Sequence, residues 1–130
     1  MRAKYCFIVG TGRSGTNFLN TVVVEHPDVD DLHSGKENRH VLMRSTKAAL
    51  MNKTKLPVLN LLYYKYAKSR LGQKVFLDQS HPNLHLVTDT EVKLKGAHFV
   101  VLWRSTNAVV ASMLKHEGVR RWQQEAEKFP

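Results

Sequence analysis

The sequence contains one cysteine, few acidic residues and no long apolar run. The single cysteine, Cys6, excludes a disulfide within the chain, and with it a small disulfide-stabilised scaffold. No segment reaches the roughly 18 consecutive apolar residues of a membrane-spanning helix. No apolar export signal precedes the first strand-like segment. We therefore predict a soluble protein without a membrane span, located in the cytoplasm.

Basic residues outnumber acidic ones. The chain has 20 Lys and Arg against 11 Asp and Glu, which gives a net charge of +9 at pH 7. Such a balance favours anions but does not select among nucleic acids, phosphorylated cofactors and acidic substrates. Basic residues occur from Arg2 to Lys128 without a long basic arm. The pattern therefore predicts no specific nucleic-acid site.

The order of apolar patterns predicts an α/β protein. A length of 130 residues fits one domain, residues 1–130. Short apolar runs rich in β-branched and aromatic residues predict strands at residues 5–9, 75–77 and 98–102. Helical patterns lie at residues 16–24, 37–52, 56–71, 84–94 and 107–114, and residues 119–130 are polar with some helical character. Alternating strands and helices indicate crossovers, so we predict a three-layer P-loop-type domain with a central parallel sheet.

A glycine-rich segment, GTGRSGTN at residues 10–17, follows the first predicted strand and begins the first predicted helix. In this position backbone N–H groups and the helix dipole converge on an anion. Gly10 and Gly15 have Walker A spacing, but Thr16 replaces its lysine and Asn17 its magnesium-binding hydroxyl. Ordinary ATP or GTP chemistry is therefore disfavoured. The three glycines also match a dinucleotide fingerprint, but we expect no acidic residue at the end of a second strand about 20 positions later.

Arg13 adds a permanently charged, forked donor to this turn, suited to bidentate contact with phosphate or sulfate oxygens. The segment GTGRSGTNFL resembles the 5′-phosphosulfate-binding loop of sulfotransferases, in which Lys or Arg precedes Ser-Gly-Thr. Those enzymes transfer sulfate from 3′-phosphoadenosine 5′-phosphosulfate (PAPS). The resemblance implies that PAPS is the co-substrate and that the loop binds it through Gly12, Arg13, Ser14, Gly15, Thr16 and Asn17.

A second segment, FVVLWRSTNAVVASMLKH, is an apolar strand that ends in Arg104 and leads into a helix. It resembles the site at which sulfotransferases bind the 3′-phosphate, through an arginine leaving a strand and a serine on the next helix. The resemblance implies this role for Arg104 and Ser112, which supply a charge and a neutral hydrogen bond. Ser105 and Thr106 depart from the family, where an acidic residue and a proline are common.

A third segment, HPDVDDLHSGKENRH, resembles tyrosylprotein sulfotransferases from His26 and Pro27 to Arg39. In that family a Gly-x-Glu-x-Arg motif supplies the proposed base and an arginine that positions the acceptor. The resemblance implies that Glu37 is the base and that Arg39 positions the acceptor, with Arg13 as the third catalytic residue. A purely structural Glu37 in the first turn of a helix, and a neutral histidine as base, remain open; the candidate histidines are His33 and His40.

A fourth segment, FLDQSHPNLHL, is similar to a family stretch in which a lysine precedes Ser, Thr or Asp and a proline. Gln79 stands where that lysine is expected, which leaves Arg13 to neutralise the leaving group. His81, if protonated, is a substitute for the lysine, and resemblance alone makes Ser80 a cofactor contact. The histidines lack metal-ligand spacing, so we predict no metal.

Taken together, these segments predict a sulfotransferase that transfers the sulfuryl group of PAPS by in-line displacement. The acceptor is a hydroxyl or amine of a small molecule, glycan or peptide, and neither its identity nor the oligomeric state is predicted. The resemblance spans residues 7–122, and family members extend further, so the chain is expected to be the N-terminal core of a longer fold or a short member. Two alternatives stay open: a P-loop small-molecule kinase using ATP and magnesium, and a non-catalytic polyanion-binding domain.

Overall fold

The computed structural model describes residues 4–31 and 38–127. Along these residues the elements are β1 (Tyr5–Gly10), α1 (Thr16–Val24), β2 (Val29–Asp31), α2 (Asn38–Leu50), α3 (Val58–Arg70), β3 (Val75–Asp78), a 3-10 segment (His81–Leu86), α4 (Val87–Lys93), β4 (Ala97–Leu102), α5 (Thr106–Leu114) and α6 (Glu117–Ala126). Among these helices, none is both long and apolar enough to cross a membrane.

The described strands form one parallel sheet in the order β2-β3-β1-β4. At the amino end of β1, Tyr5 pairs with Phe76 of β3 and with Ala97 of β4. At the carboxyl end, Gly10 pairs with Leu102. Because the strands are parallel, their carboxyl ends share one edge of the sheet, which is the edge where open α/β sheets bind ligands.

One face of the sheet packs against α2, α3 and the residues that flank α4. Alternate residues of β1 point toward these helices, and the centre of the core is aromatic. Phe7 is fully buried, and its ring centroid lies 5.4 Å from that of Tyr64 on α3 and 5.4 Å from that of Phe99 on β4. Burial of one such side chain contributes about 1.5–3 kcal/mol. The buried cluster comprises Tyr5, Phe7, Val9, Val41, Ala48, Leu56, Tyr64, Ala67, Phe76, Leu86 and Leu94.

The other face of the sheet is covered by α1, which contacts β1, β2 and β3. Ile8 and Leu77 are fully buried, and the alternation along their strands directs them away from the aromatic core. The amide of Asn20 donates a hydrogen bond to Oδ2 of Asp31 at 2.7 Å, which joins α1 to the edge strand β2. Helices on both faces confirm the predicted α/β class and parallel sheet.

The predicted strands 5–9, 75–77 and 98–102 are confirmed as β1, β3 and β4, and the structure adds β2, which was not predicted. That strand has three residues, two of them aspartates, and all are half-buried. It is too short and too polar to produce an apolar run. The helix predicted from residue 84 begins as α4 at Val87, because the preceding His81–Leu86 segment is 3-10.

The strand β2 also corrects the argument against a dinucleotide fingerprint. An acidic residue, Asp31, does end a second strand about 20 positions after the glycine turn. However, β3 lies between β1 and β2, whereas the dinucleotide-binding order places the second strand beside the first. Asp31 is therefore one strand away from β1, and Asn20 occupies one of its oxygens. A dinucleotide site stays disfavoured, but for a topological reason.

Candidate anion-binding site

Two strand-to-helix turns lie side by side at the carboxyl edge of the sheet. Residues 11–15 join β1 to α1, and residues 103–105 join β4 to α5. The turns are neighbours because β1 and β4 pair as far as Gly10 and Leu102. Within the described residues, neither helix has a side-chain hydrogen bond at its N-cap or an acidic residue in its first turn. The positive ends of two helix dipoles therefore meet at one edge.

The backbone of the first turn is left-handed at two positions. Gly15, the N-cap of α1, has φ 106°, which glycine adopts without steric cost. Arg13 has φ 70°, a conformation that costs a residue with a Cβ about 1 kcal/mol or more. The backbone N–H of Ser14 donates to the carbonyl of Thr11 at 3.1 Å and closes the turn. Strain of this kind concentrates at functional turns.

Gly10 ends β1 at a point with no room for a side chain. A Cβ on Gly10 would lie 2.7 Å from the carbonyl oxygen of Leu102 and 2.7 Å from Oγ of Ser14. A Cβ on Gly12 would lie 3.8 Å from Cε of Met113, an ordinary contact. Packing of the turn against β4 therefore requires glycine at position 10 but not at position 12.

Three predicted ligand-binding residues are joined by hydrogen bonds across the two turns. Nε of Arg13 donates to Oγ of Ser112 at 3.1 Å, and Nη1 of Arg104 donates to the backbone carbonyl of Arg13 at 3.2 Å. Both arginines are exposed. In the described ranges, no carboxylate forms an ion pair with either of them. Two arginines without an ion-pair partner among the described residues thus lie in neighbouring turns beside two helix N-termini, where an anion would be stabilised.

The hydroxyl of Ser14 is buried in the first turn, and the side chain is 7% exposed. Its Oγ has no hydrogen-bond partner in the part of the chain that the structure describes. Leaving a buried hydroxyl unpaired costs about 1–3 kcal/mol. Because Ser14 lies within the turn that leads into α1, a phosphate or sulfate oxygen bound there would satisfy it. Thr16 is also buried, whereas Asn17 is exposed.

The structure gives less information about the residues predicted to act on the acceptor. Glu37 and His33 lie outside the described residues. Arg39 and His40 belong to the first turn of α2, but only their backbone is described. Their proposed roles stay predictions.

Sequence reasoning missed a buried polar network at the carboxyl end of β3. The hydroxyl of Tyr64 donates to Oδ2 of Asp78 at 2.7 Å, and the amide of Asn83 donates to the same oxygen at 3.0 Å. The backbone N–H of Ser80 donates to Oδ1 of Asp78 at 2.8 Å. Burial, reinforced by the charge of Asp78, raises the pKa of Tyr64 well above its ordinary value, so the phenol stays a donor. The position of Asp78 at the end of an apolar strand is visible in the sequence, but its hydrogen-bond partners are not.

The segment after β3 contains Ser80, the predicted cofactor contact, and His81, the predicted substitute for a lysine. Ser80 is buried, and its Oγ lacks a hydrogen-bond partner among the described residues, which is compatible with its predicted contact to a ligand. The side chain of His81 is exposed, but partial desolvation of its imidazole, together with the charge of His85, lowers its pKa. Its imidazole is therefore mainly neutral at pH 7, which disfavours His81 as a cationic substitute for that lysine.

Comparisons with known proteins add no assignment. No protein-family model, curated protein or solved structure matches the chain. Within residues 4–31 and 38–127, no group of three or more His, Cys, Asp and Glu side chains is arranged to hold a metal ion. The fold and the site therefore define an α/β protein with a candidate anion site at the carboxyl edge of its sheet.

Proposed function

We propose that this chain is a sulfotransferase domain that binds PAPS at the carboxyl edge of its parallel sheet. The observation that carries the proposal is the hydrogen-bonded cluster of Arg13, Arg104 and Ser112 beside the N-termini of α1 and α5. A ligand with a negative group at each end suits two adjacent turns that each contain an arginine. The sequence resemblance assigns the same residues to the same ligand.

The residues of the first turn fit a phosphosulfate group. The unpaired hydroxyl of Ser14 is a buried donor at that point, and the uncapped backbone N–H groups at the start of α1 are further donors. The other predicted residues of the loop would bind the phosphosulfate through their backbone N–H groups: Gly12, Gly15, Thr16 and Asn17. Arg104 and Ser112 would hold the 3′-phosphate, as a charge and a neutral hydrogen bond.

The proposed chemistry is direct transfer in one step. The acceptor oxygen or nitrogen forms a bond to sulfur while the bond from sulfur to the bridging phosphate oxygen breaks. The acceptor proton passes to Glu37, and the products are the sulfated acceptor and 3′,5′-adenosine bisphosphate. Arg13 stabilises the negative charge that develops on the departing phosphate, and Arg39 positions the acceptor.

The test is calorimetric titration of the 130-residue chain with 3′,5′-adenosine bisphosphate in the absence of magnesium, beside a titration with ATP and magnesium. We expect the bisphosphate to bind more tightly. Arg104→Ala should weaken its binding by about 1.5–3 kcal/mol, the range for a hydrogen bond to a charged group. Arg70→Ala, which removes an exposed arginine from α3, should leave the affinity unchanged.

Three outcomes would contradict the proposal. Preference for ATP with magnesium would favour the kinase alternative. Equal losses of affinity in Arg104→Ala and Arg70→Ala would indicate attraction to net charge without a site. Absence of binding to both nucleotides would show that the cluster is not a nucleotide site in this chain.

A further inference from the structure

The excess positive charge of the protein is confined to one part of the chain. Residues 38–74 contain nine Lys and Arg and no Asp or Glu, whereas the remaining 93 residues contain eleven of each. The net charge of +9 therefore belongs to α2, α3 and the residues that join and follow them. Basic residues occur along the whole chain, but elsewhere acidic residues balance them. The excess lies outside the two turns of the candidate anion site.

Most of these cations are accessible to solvent. Six of them are exposed: Lys47, Lys53, Lys55, Lys65, Arg70 and Lys74. Lys74 forms an ion pair with Asp30, and both side chains of this pair stay nearly half exposed (48% and 41%). The charge is therefore available to an outside partner.

Most of the exposed side of α3 is apolar, with Ser69 as an exposed polar residue in the same arc. Four large apolar side chains are more than half exposed: Val58 (68%), Leu59 (59%), Leu62 (57%) and Tyr66 (63%). At 3.6 residues per turn these four positions fall within an arc of about 100°. The buried residues of the same helix, Asn60, Tyr64 and Ala67, lie on the opposite side. We call the four exposed residues the α3 stripe.

Cations flank the α3 stripe. Lys65 lies on one side of it by helical position and Arg70 on the other, and Lys53 and Lys55 precede the helix. An apolar stripe bordered by Lys and Arg is typical of helices that lie in the interface of a membrane containing anionic lipids. In that setting each cation near the surface adds attraction to the negative leaflet, and the apolar side chains enter the lipid boundary.

We propose that the outer face of α3, with the cations around it, docks on an anionic membrane surface. Charge complementarity favours this occupant over a second copy of the chain, because two copies would bring like charges together. The α3 stripe favours it over nucleic acid, since aliphatic Val58, Leu59 and Leu62 have no role in contacts with phosphates. The inference does not depend on the proposed enzymatic activity.

Vesicle co-sedimentation of the 130-residue chain tests the proposal. The vesicles are phosphatidylcholine alone, or phosphatidylcholine with about 30% phosphatidylserine, at about 0.1 M salt. We expect binding to the second kind only. Loss of the stripe or of its cations should lower the partition coefficient about tenfold or more. The test variants are Leu59→Ser with Leu62→Ser, and Lys53→Gln with Lys65→Gln and Arg70→Gln.

Matched controls remove the same chemistry from other surfaces. Val92→Ser with Leu114→Ser removes two exposed apolar side chains, which are 74% and 69% exposed. Lys95→Gln with Lys115→Gln and Arg121→Gln removes three exposed cations. Both controls should bind vesicles like the unchanged chain. Circular dichroism and thermal unfolding of every variant separate a lost surface from a lost fold.

Each contrary result overturns the proposal. Failure of the unchanged chain to bind the anionic vesicles would do so, as would equal binding to both kinds of vesicle. If the α3 stripe variant binds anionic vesicles normally, net charge alone explains the attraction. If the chain binds a short DNA duplex but not vesicles, and the stripe variant binds that duplex equally well, the surface is a nucleic-acid site.

Discussion

The guanidinium of Arg13 donates a hydrogen bond from Nε to Oγ of Ser112, 99 positions later in the chain. This contact links the turn after β1 to the second turn of α5. It also means that the groups assigned by resemblance to opposite ends of one nucleotide touch each other. The serine oxygen accepts from Arg13, so its own proton remains to be donated to a ligand.

The first prediction is energetic coupling between these two residues. Arg13→Ala and Ser112→Ala should each weaken binding of 3′,5′-adenosine bisphosphate, by about 1–3 kcal/mol. Because Arg13 orients the hydroxyl of Ser112, the double variant should lose about 1 kcal/mol less than the sum of the two. Calorimetric titration of the four proteins gives the coupling energy.

The control cycle pairs Ser112→Ala with Arg70→Ala. Arg70 lies on α3, so the changes in binding free energy caused by these two substitutions should be additive. Additivity in the Arg13 and Ser112 cycle as well would mean that the hydrogen bond does not contribute to ligand binding.

The second prediction compares two glycines of the same turn. Gly10→Ala places a Cβ 2.7 Å from a backbone oxygen, so β1 and β4 must separate locally. We expect the free energy of unfolding to fall by about 1–3 kcal/mol or more. Gly12→Ala meets only a flexible methionine end at 3.8 Å and should change it by less than about 0.5 kcal/mol. Urea unfolding measures both, and equal effects would be inconsistent with the described packing.

The third prediction concerns the hydroxyl of Tyr64. Tyr64→Phe removes a donor to Oδ2 of Asp78 and leaves Asn83 to satisfy that oxygen. Because Tyr64 is fully buried, the free energy of unfolding should fall by about 1–3 kcal/mol. Tyr66→Phe, on the exposed side of the same helix, should be close to neutral. A neutral Tyr64→Phe in urea unfolding would show that the network adds no stability.

The fourth prediction is a pH dependence that comes from Asp89. Partial burial raises its pKa, but hydrogen bonds from Lys93 and from the backbone N–H of Leu56, with the charges of Lys93 and Lys55, lower the pKa overall. A lowered folded-state pKa means that the carboxylate stabilises the fold at neutral pH. That contribution is lost as pH falls through the folded-state value, which lies below the ordinary 3.8.

Asp89→Asn should therefore lower the free energy of unfolding by about 0.5–1.5 kcal/mol at pH 7. The difference from the unchanged chain should shrink toward acid pH. Urea unfolding at a series of pH values measures it, with Glu91→Gln on the exposed side of α4 as the control. A difference that stays constant from neutral to acid pH would exclude the charge of Asp89 as its cause.

The sheet and part of the site could be predicted from sequence for physical reasons. The strands β1 and β4 are continuous apolar runs, and such runs in a protein with intervening helices indicate parallel strands. Arg13 and Arg104 each follow one of these strands, so the common carboxyl edge brings them together. The strand β2 has too little apolar content to be predicted from the sequence. The sequence also does not show that β3 lies between β2 and β1, which is what separates Asp31 from β1.

Side-chain partners were beyond the reach of sequence. Tyr64 belongs to α3, which has apolar residues on two sides and contains several tyrosines. The neighbouring sequence does not show which of these tyrosines is buried against Asp78. Arg13, which donates to Ser112, has a left-handed backbone, and its residue type alone disfavours that conformation. Such contacts follow from packing and not from propensity.

The position of β1 inside the sheet has a consequence for synthesis of the protein. Tyr5 pairs with Phe76 and Ala97, so both neighbours of the first strand are translated long after it. At about 5–20 residues per second, β1 waits roughly 5–20 s for its last partner. During that interval an apolar segment with unpaired backbone groups emerges from the ribosome. We therefore expect a nascent chain of this topology to bind a chaperone before it folds.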